Sequence, residues 1–399
     1  MRVLYLTHSC PFPPNKGDRI RNFHILKHLA EKHQVSLIYP SFSSKDEGCL
    51  DTLRKFCVSV KTVHMSPILA NLRCAFGLFG SKPLTNAYFY SPHLQEMVDQ
   101  ERYDLAIADC SSMAQYVMNV KIPKMIDFVD VDSDKWNMYA QKSKFPKSLI
   151  YKREYARLRE FEACLVKEFD VSIVISDQER DFLPDTERLF VVRNGIDLEF
   201  FEPRRETNNE PTLIFTGAMN YFPNIDGVLF FNEEVFPRIQ RAVPAVKFIV
   251  GGMEPSPAIQ QLASDHTIVT GFVPDMRAYL REASVSVVPL RIAKGIQNKV
   301  LEAMAMRVPV VATTLANQGI NAKDGKEVMI ADNPEDFAQA VIELLINEKM
   351  RISMADNARQ FVEEHFSWEQ NLAALDKAIK TAFDNQDTLQ NALEEVASV

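Results

Sequence analysis

The chain has 399 residues, 46% hydrophobic and 25% charged, with a formal net charge of −8: a globular composition, long enough for two domains. Residues 1–192 carry 26 Lys and Arg against 24 Asp and Glu, leaving −10 on the remainder, which argues against nucleic acid as a main partner because phosphate neutralisation needs a basic face. No apolar run approaches the roughly 20 residues that span a bilayer, the start lacks a signal-peptide pattern, and six cysteines without Cys-x2-Cys spacing predict reduced thiols in a cytoplasmic protein.

In chain order, Arg2–Thr7 and Gln34–Tyr39 read as strands around a helix over Ile20–Lys32, whose apolar face is Ile20, Phe23, Leu26 and Leu29. The proline-stiffened link between them ends in Gly17, which permits close backbone approach just before the helix. His24 and His28 stand four apart without a Glu at the zinc-protease position, and read as helix-surface residues. Val58–His64 is a third strand; Asp104–Asp109 and Pro123–Phe128 are buried strands whose carboxyl ends carry Asp109 and the acids Asp127, Asp130, Asp132 and Asp134. Ligands of an open α/β sheet gather at those ends. The acids fit no calcium-loop pattern, so no metal is expected.

Two stretches combine apolar and basic residues. Ala70–Pro83 is flanked by Arg73 and Lys82; Lys142–Arg159 interleaves seven cations with Phe145, Leu149, Ile150 and Tyr151. Both suit peripheral contact with the cytoplasmic face of a membrane, and both equally suit helices packed on their own domain.

Asp170–Ser176 is a further strand. The Asn194-Gly195 turn and the charged run Glu202–Pro211 place a domain boundary near 193–210. Leu213–Gly217 opens a second Rossmann-like unit, followed by a strand and turn over Val246–Gly252. Ser284–Leu290 is a β-branched run closed by Pro289, Arg291–Asn298 a loop containing Gly295, Lys299–Met306 a short helix and Val308–Ala312 the next strand. Strand, glycine loop and helix N-terminus together make an anion site. Lys299 adds a cation where the helix dipole disfavours one, which points to a bound anion. Glu302, one turn on, suits a sugar diol, and phosphate plus ribose means a nucleotide. Helices follow over Pro334–Ile346, Ile352–Phe366 and Trp368–Phe383.

Gly295, Leu301-Glu-Ala-Met-Ala305, Pro309-Val-Val311 and the Asn194-Gly-Ile-Asp197 turn resemble the signature of the retaining glycosyltransferases of family four. The run Gly295-Ile-Gln-Asn-Lys-Val-Leu-Glu302 is similar to their branch associated with exosortase/PEP-CTERM exopolysaccharide systems. The resemblance implies an α/β GT-B fold: two Rossmann-like domains with parallel sheets facing a central cleft, residues 1–192 and 193–366. A helix of about 368–385 returns to the first domain, and 386–399 is a tail.

It also implies roles. Gly17 would approach the donor phosphates or the acceptor, Gly217 would open the diphosphate loop, and Phe272 and Val273 would contact the base. Gly295, Ile296, Gln297, Asn298 and Glu302 would bind the donor. Asp130, or Asp127, would take the place of a sugar-facing His. Lys294 stands where the family has a first Glu; phosphate binding, selection of an acidic sugar and a solvated role all remain open for it. The family's Arg and Lys after Gly217 are absent, which transfers charge compensation to Lys299, Arg291 or Lys294. The activity implied is retaining, metal-independent transfer from a nucleotide-sugar to a glycan or lipid-linked acceptor in exopolysaccharide or envelope glycan synthesis, with no cofactor. The alternative is a non-catalytic GT-B subunit binding a partner transferase.

Overall fold

A computed structural model of the protein describes residues 1–14, 17–42, 49–203, 210–293 and 295–397. Lys294 lies outside the described residues. The chain divides into two compact units, one of Met1–Arg193 with Asn371–Val399 and one of Asn194–Gln370.

The first unit holds a seven-stranded parallel sheet in the order β3-β2-β1-β4-β5-β6-β7. The strands are β1 Arg2–Leu6, β2 Gln34–Ser41, β3 Ser59–His64, β4 Leu105–Asp109, β5 Lys124–Asp127, β6 Val171–Val174 and β7 Leu189–Val191. The central strands read as continuous apolar runs because both faces are covered, as parallel sheets require: every residue of Leu105–Asp109 and Val171–Val174 is buried. From β1 the chain moves outward through β2 and β3, then returns to place β4 on the other side of β1. The order therefore reverses between β1 and β4.

The second unit repeats the plan with six parallel strands, β10-β9-β8-β11-β12-β13. They are β8 Thr212–Thr216, β9 Lys247–Gly251, β10 Thr267–Gly271, β11 Val285–Val288, β12 Val310–Ala312 and β13 Met329–Ile330. Here the order reverses between β8 and β11. Phe231, Phe236, Phe248 and Phe337 pack together beneath the sheet. Helix Pro334–Ile346 sits there with Asn333 accepting from the backbone N–H groups of Glu335 and Asp336.

The helix predicted from Ile20 starts three residues earlier, as Gly17–Lys32. The added first turn carries Asp18, which lies 3.3 Å from His8, and Arg21 behind it is fully buried. The guanidinium donates through Nε and Nη2 to Asp127 at 2.7 and 3.1 Å and through Nη1 to the Val192 carbonyl at 2.8 Å. His28 is no ligand: it meets Asp376 at 2.8 Å, and Lys32 reaches the same carboxylate. These bonds hold the last helix, Trp368–Ala397, against the first unit; it runs past residue 385, where the sequence predicts its end. Gly195 is explained by packing within the second unit, since a Cβ there would lie 2.6 Å from the Trp368 ring.

Candidate functional site

In doubly wound sheets a crevice opens at the carboxyl ends of the strands where their order reverses, and ligands bind there. Each unit builds a polar cluster at that point.

In the second unit the two strands at the reversal end in Gly217 and in the loop leading to helix Asn298–Ala305. Lys299, in the first turn, donates to Asn224 Oδ1 at 2.5 Å and lies 4.2 Å from the centroid of the Phe215 ring. Asn224 is fixed in turn by donating to the Ala218 carbonyl at 2.9 Å. A Cβ on Gly217 would fall 3.1 Å from the Lys299 ammonium and 2.7 Å from the Asn224 amide. Glycine therefore lets the β8 turn lie directly against the cation. Gly252 repeats the theme from β9, where an added Cβ would lie 1.7 Å from the Gly217 carbonyl. The Gly295 loop (φ 66°) is backed by Gly319, whose Cβ would meet the Gly295 carbonyl at 2.5 Å. The two loops are in backbone contact.

The electrostatics of this cluster are unusual. Burial pushes the Lys299 ammonium down to about 7, although the charge of Glu302 acts to raise it. Burial likewise raises Glu302, against the pull of Lys299. The contacts around Lys299 are a neutral amide and a ring face, which compensate a cation only partly. An anion placed beside Gly217 would complete the neutralisation.

The remaining sequence-predicted residues are distributed as follows. Gly295, Ile296, Gln297 and Asn298 form the loop and helix start beside Lys299, with Gln297 in the N-cap position making no side-chain cap. Arg291 is engaged elsewhere: Nε and Nη2 donate to Asp226 at 2.9 and 2.6 Å, and the guanidinium lies 4.8 Å from the Phe230 ring centroid. Its charge is already paired, a partnership invisible at a separation of 65 residues. Phe272 and Val273 follow β10, two strands from β8, and Phe272 is 69% exposed. Gly17 and Asp130 belong to the first unit. Gly17 opens its helix with open space around it. Asp130 is exposed, after Val129 in a left-handed conformation (φ 58°). Asp127 is consumed by Arg21 and buried, which removes it from a sugar-facing role.

Sequence reasoning missed the cluster in the first unit. His8 follows β1 and Asp109 closes β4, the two strands at the reversal. His8 Nδ1 donates to Asp109 Oδ2 at 2.6 Å, and the same oxygen accepts from Asn22 Nδ2 at 2.8 Å. Tyr5 donates to Asn22 Oδ1 at 2.8 Å, completing a buried chain. On its other nitrogen His8 lies 3.3 Å from Asp18. Burial opposes the imidazolium, but the charge and hydrogen bond of the Asp109 carboxylate, with the bond to Asp18, carry His8 well above its ordinary value. Against burial, the bond to His8 holds Asp18 at about 2. His8, Asp109 and Cys110 bring three potential metal donors within 4.8 Å of one another. Burial holds the Cys110 thiol above its ordinary value, and His8 Nδ1 lies within hydrogen-bond distance of Asp109. Cys110 itself adopts φ 67°; such strain clusters at functional sites.

Comparison with known proteins agrees with the geometry of the second unit. Residues 210–347 match the family model described as glycosyl transferases group 1. An uncharacterized 44.6 kDa protein in the cps region of Klebsiella pneumoniae is 20% identical over 379 residues, 92% of this chain and 96% of that one. The lipopolysaccharide core biosynthesis mannosyltransferase LpcC of Rhizobium leguminosarum bv. viciae is 24% identical over 53% of this chain and 64% of its own. Other curated relatives are matched over 27% to 57% of their length. Among solved structures, Anabaena HepE in complex with UDP superposes with a TM-score of 0.67 at 14% identity, covering 96% of this chain and all of that one. At that identity the likeness establishes the fold, and the fold is GT-B.

Proposed function

We propose that this chain, a glycosyltransferase of GT-B fold with a group 1 domain, moves a sugar from a nucleotide-sugar to a glycan or lipid-linked acceptor with retention and without a metal. The observation that carries the reading is the partly compensated Lys299 at the β8/β11 reversal, between the Gly217 turn and the first turn of the Asn298 helix. Breaking the anomeric C–O bond leaves its electron pair on the nucleotide diphosphate. Lys299 and the helix N-terminus are the positive groups placed to receive that charge. Glu302 would take the ribose hydroxyls and set the register of the reacting carbon. The acceptor hydroxyl oxygen forms the new bond to the anomeric carbon, and its proton passes to the departing diphosphate. The mannosyltransferase LpcC and the UDP-bound HepE support this donor class by likeness. Placement in family four and its exosortase-associated branch rests on the Gly295–Val311 signature.

Peripheral membrane contact is part of the proposal. No described helix is long and apolar enough to cross a membrane. Helix Pro67–Gly77 and the segment after it leave Ile68, Leu69, Leu72, Phe76 and Phe79 between 50% and 94% exposed. Arg153 donates to the carbonyls of Gly77 and Gly80, drawing the start of helix Lys147–Glu168, with exposed Phe145 and Leu149, close to them. Apolar side chains ringed by Lys82, Lys144 and Lys147 suit an anionic lipid surface.

Thermal-shift titration with UDP-, GDP- and ADP-sugars in EDTA tests the donor reading. One nucleotide should stabilise the protein by the amount its affinity dictates, and the anomeric configuration of the transferred sugar, read by NMR, should match the donor. Indifference to every nucleotide would turn the assignment to a non-catalytic GT-B subunit.

A further inference from the structure

The first unit carries a half-open cavity of about 420 Å³ at the carboxyl ends of its strands, lined by His8, Thr85, Tyr88, Ser112, Asp132 and Trp136 among others. That volume falls inside the roughly 300–1,000 Å³ range of small-molecule sites. It opens at the β1/β4 reversal, with His8 and Cys110 following the two strands concerned. The counterpart position in the second unit carries Lys299.

Its walls are held in place by buried carboxylates. Helix Leu84–Phe89 supplies Thr85, Tyr88 and Phe89 to one side. Glu154, 1% exposed, accepts from the backbone N–H groups of Leu84 and Thr85 at 2.6 and 2.8 Å and from the Thr85 hydroxyl. Helix Asp132–Lys142 supplies Asp132, Lys135 and Trp136 to the other side. Glu162 accepts from the Ser133 N–H at 3.1 Å and Glu179 from the Val131 N–H at 2.6 Å. Glu154 and Glu162 project from one helix, Lys147–Glu168. A single element thus anchors the first turns of both walls, and each carboxylate is desolvated to do so: burial pushes Glu162 up to about 8. Buried side-chain acceptors committed to the backbone N–H groups of a cavity's walls hold its lining in one geometry.

The lining selects among ligands. Tyr88, Phe89 and Trp136 contribute aromatic surface to the lining, while Thr85, Ser112 and Asp132 contribute polar groups. Lys135 is paired with Asp132 at 2.7 Å, so its charge is already matched. A phosphate would meet an acid and no unmatched lysine; an alkyl chain would take water from the Asp132–Lys135 pair and give it no new partner. A pyranose ring satisfies both kinds of wall, with C–H faces for the aromatics and hydroxyls for the polar groups.

We infer that this cavity binds an uncharged sugar ring at the receiving end of the acceptor, so that the substrate class is an acceptor already glycosylated rather than a bare lipid phosphate. The inference rests on the transferase reading above and deepens it. Trp136 is the stacking platform, Asp132 and Ser112 take ring hydroxyls, and the His8–Asp109 pair forms the floor.

The test uses the full chain, saturated with whichever nucleotide-sugar stabilises it, and a panel of methyl α- and β-pyranosides of glucose, galactose, mannose and rhamnose, with glycerol phosphate for comparison. Trp136 is one of two tryptophans. At least one glycoside should change the intrinsic fluorescence saturably and accelerate nucleotide release, and glycerol phosphate should do neither. Trp136→Ala should raise the half-saturating glycoside concentration about tenfold or more while donor binding stays within about twofold, and Trp136→Phe, which keeps a ring, should recover most of the loss. Donor binding without any glycoside response, stimulation by glycerol phosphate alone, or an unchanged Trp136→Ala response each overturns the inference. Absence of donor binding in the unmodified protein would instead defeat the transferase reading itself.

Discussion

Lys299 should make donor affinity depend on pH in a way that one substitution abolishes. Burial lowers its ammonium from 10.5 to about 7 in the free protein. The diphosphate of a nucleotide-sugar, esterified at both ends, does not itself titrate near neutrality. Binding two negative charges beside Lys299 restores its proton, so apparent affinity scales with the fraction of free protein that already carries it. From pH 7 to pH 9 that fraction falls from about one half to about one hundredth, which weakens binding about 50-fold, or roughly 2.3 kcal/mol. Folded-state values within one unit of 7 give between about 10-fold and 100-fold. The stability of the free protein moves oppositely. The unfolded chain holds this proton more tightly than the folded one, so the folding cost of Lys299 is full below about pH 7 and is withdrawn as pH rises toward 10.5. Isothermal titration calorimetry at both pH values, in buffer pairs of different ionisation enthalpy, reads affinity and proton uptake together. Lys299→Met should bind more weakly at pH 7 and show no slope. Equal affinity at the two pH values in the unmodified protein, or the same slope in the variant, would refute the reasoning.

Four further outcomes are expected. Lys299→Met should lower turnover by about 10²-fold or more at saturating donor, the scale for losing one partner of a developing charge; steady-state kinetics decide it. Glu302→Ala should act mainly on donor KM, raising it about 10- to 100-fold through the loss of a charged hydrogen-bond acceptor. Gly319→Ala places a Cβ 2.5 Å from the Gly295 carbonyl and 3.0 Å from the Ile296 nitrogen; the displaced loop should reduce kcat/KM by on the order of 10²-fold, a normal value showing that the loop does not position the donor. Asp127→Asn leaves Arg21 buried without its counter-charge and should destabilise the first unit by about 3–5 kcal/mol in urea titrations, with donor affinity preserved.

Local pattern was enough to mark the central strands, the helix after β1, the C-terminal helices and the stretch Gly295–Glu302, because apolar periodicity and glycine-loop chemistry act over a few residues; the short elements Leu84–Phe89, Pro92–Asp99, Leu189–Val191 and Met329–Ile330 left no such mark. The boundary between units also left a local trace in Asn194-Gly195 and the charged run after it. Element ends were less legible. The Gly17 helix starts three residues before the predicted Ile20, and its Arg21 meets Asp127, 106 positions away, a pair that no window along the chain contains.

What residue order alone determined is therefore the parallel α/β character of both halves and the identity of Lys299 and Glu302 as a charged pair one helical turn apart. Tertiary structure decided which charges are available. It paired Arg291 with Asp226, sank Asp127 beneath Arg21 and set Lys299 against Phe215 and Asn224. It also placed β4 beside β1, joining His8 to Asp109 across 101 residues and opening the cavity above them. The reason is physical: whether a charge is neutralised depends on its neighbours in space, and in a doubly wound sheet those neighbours are set by strand order.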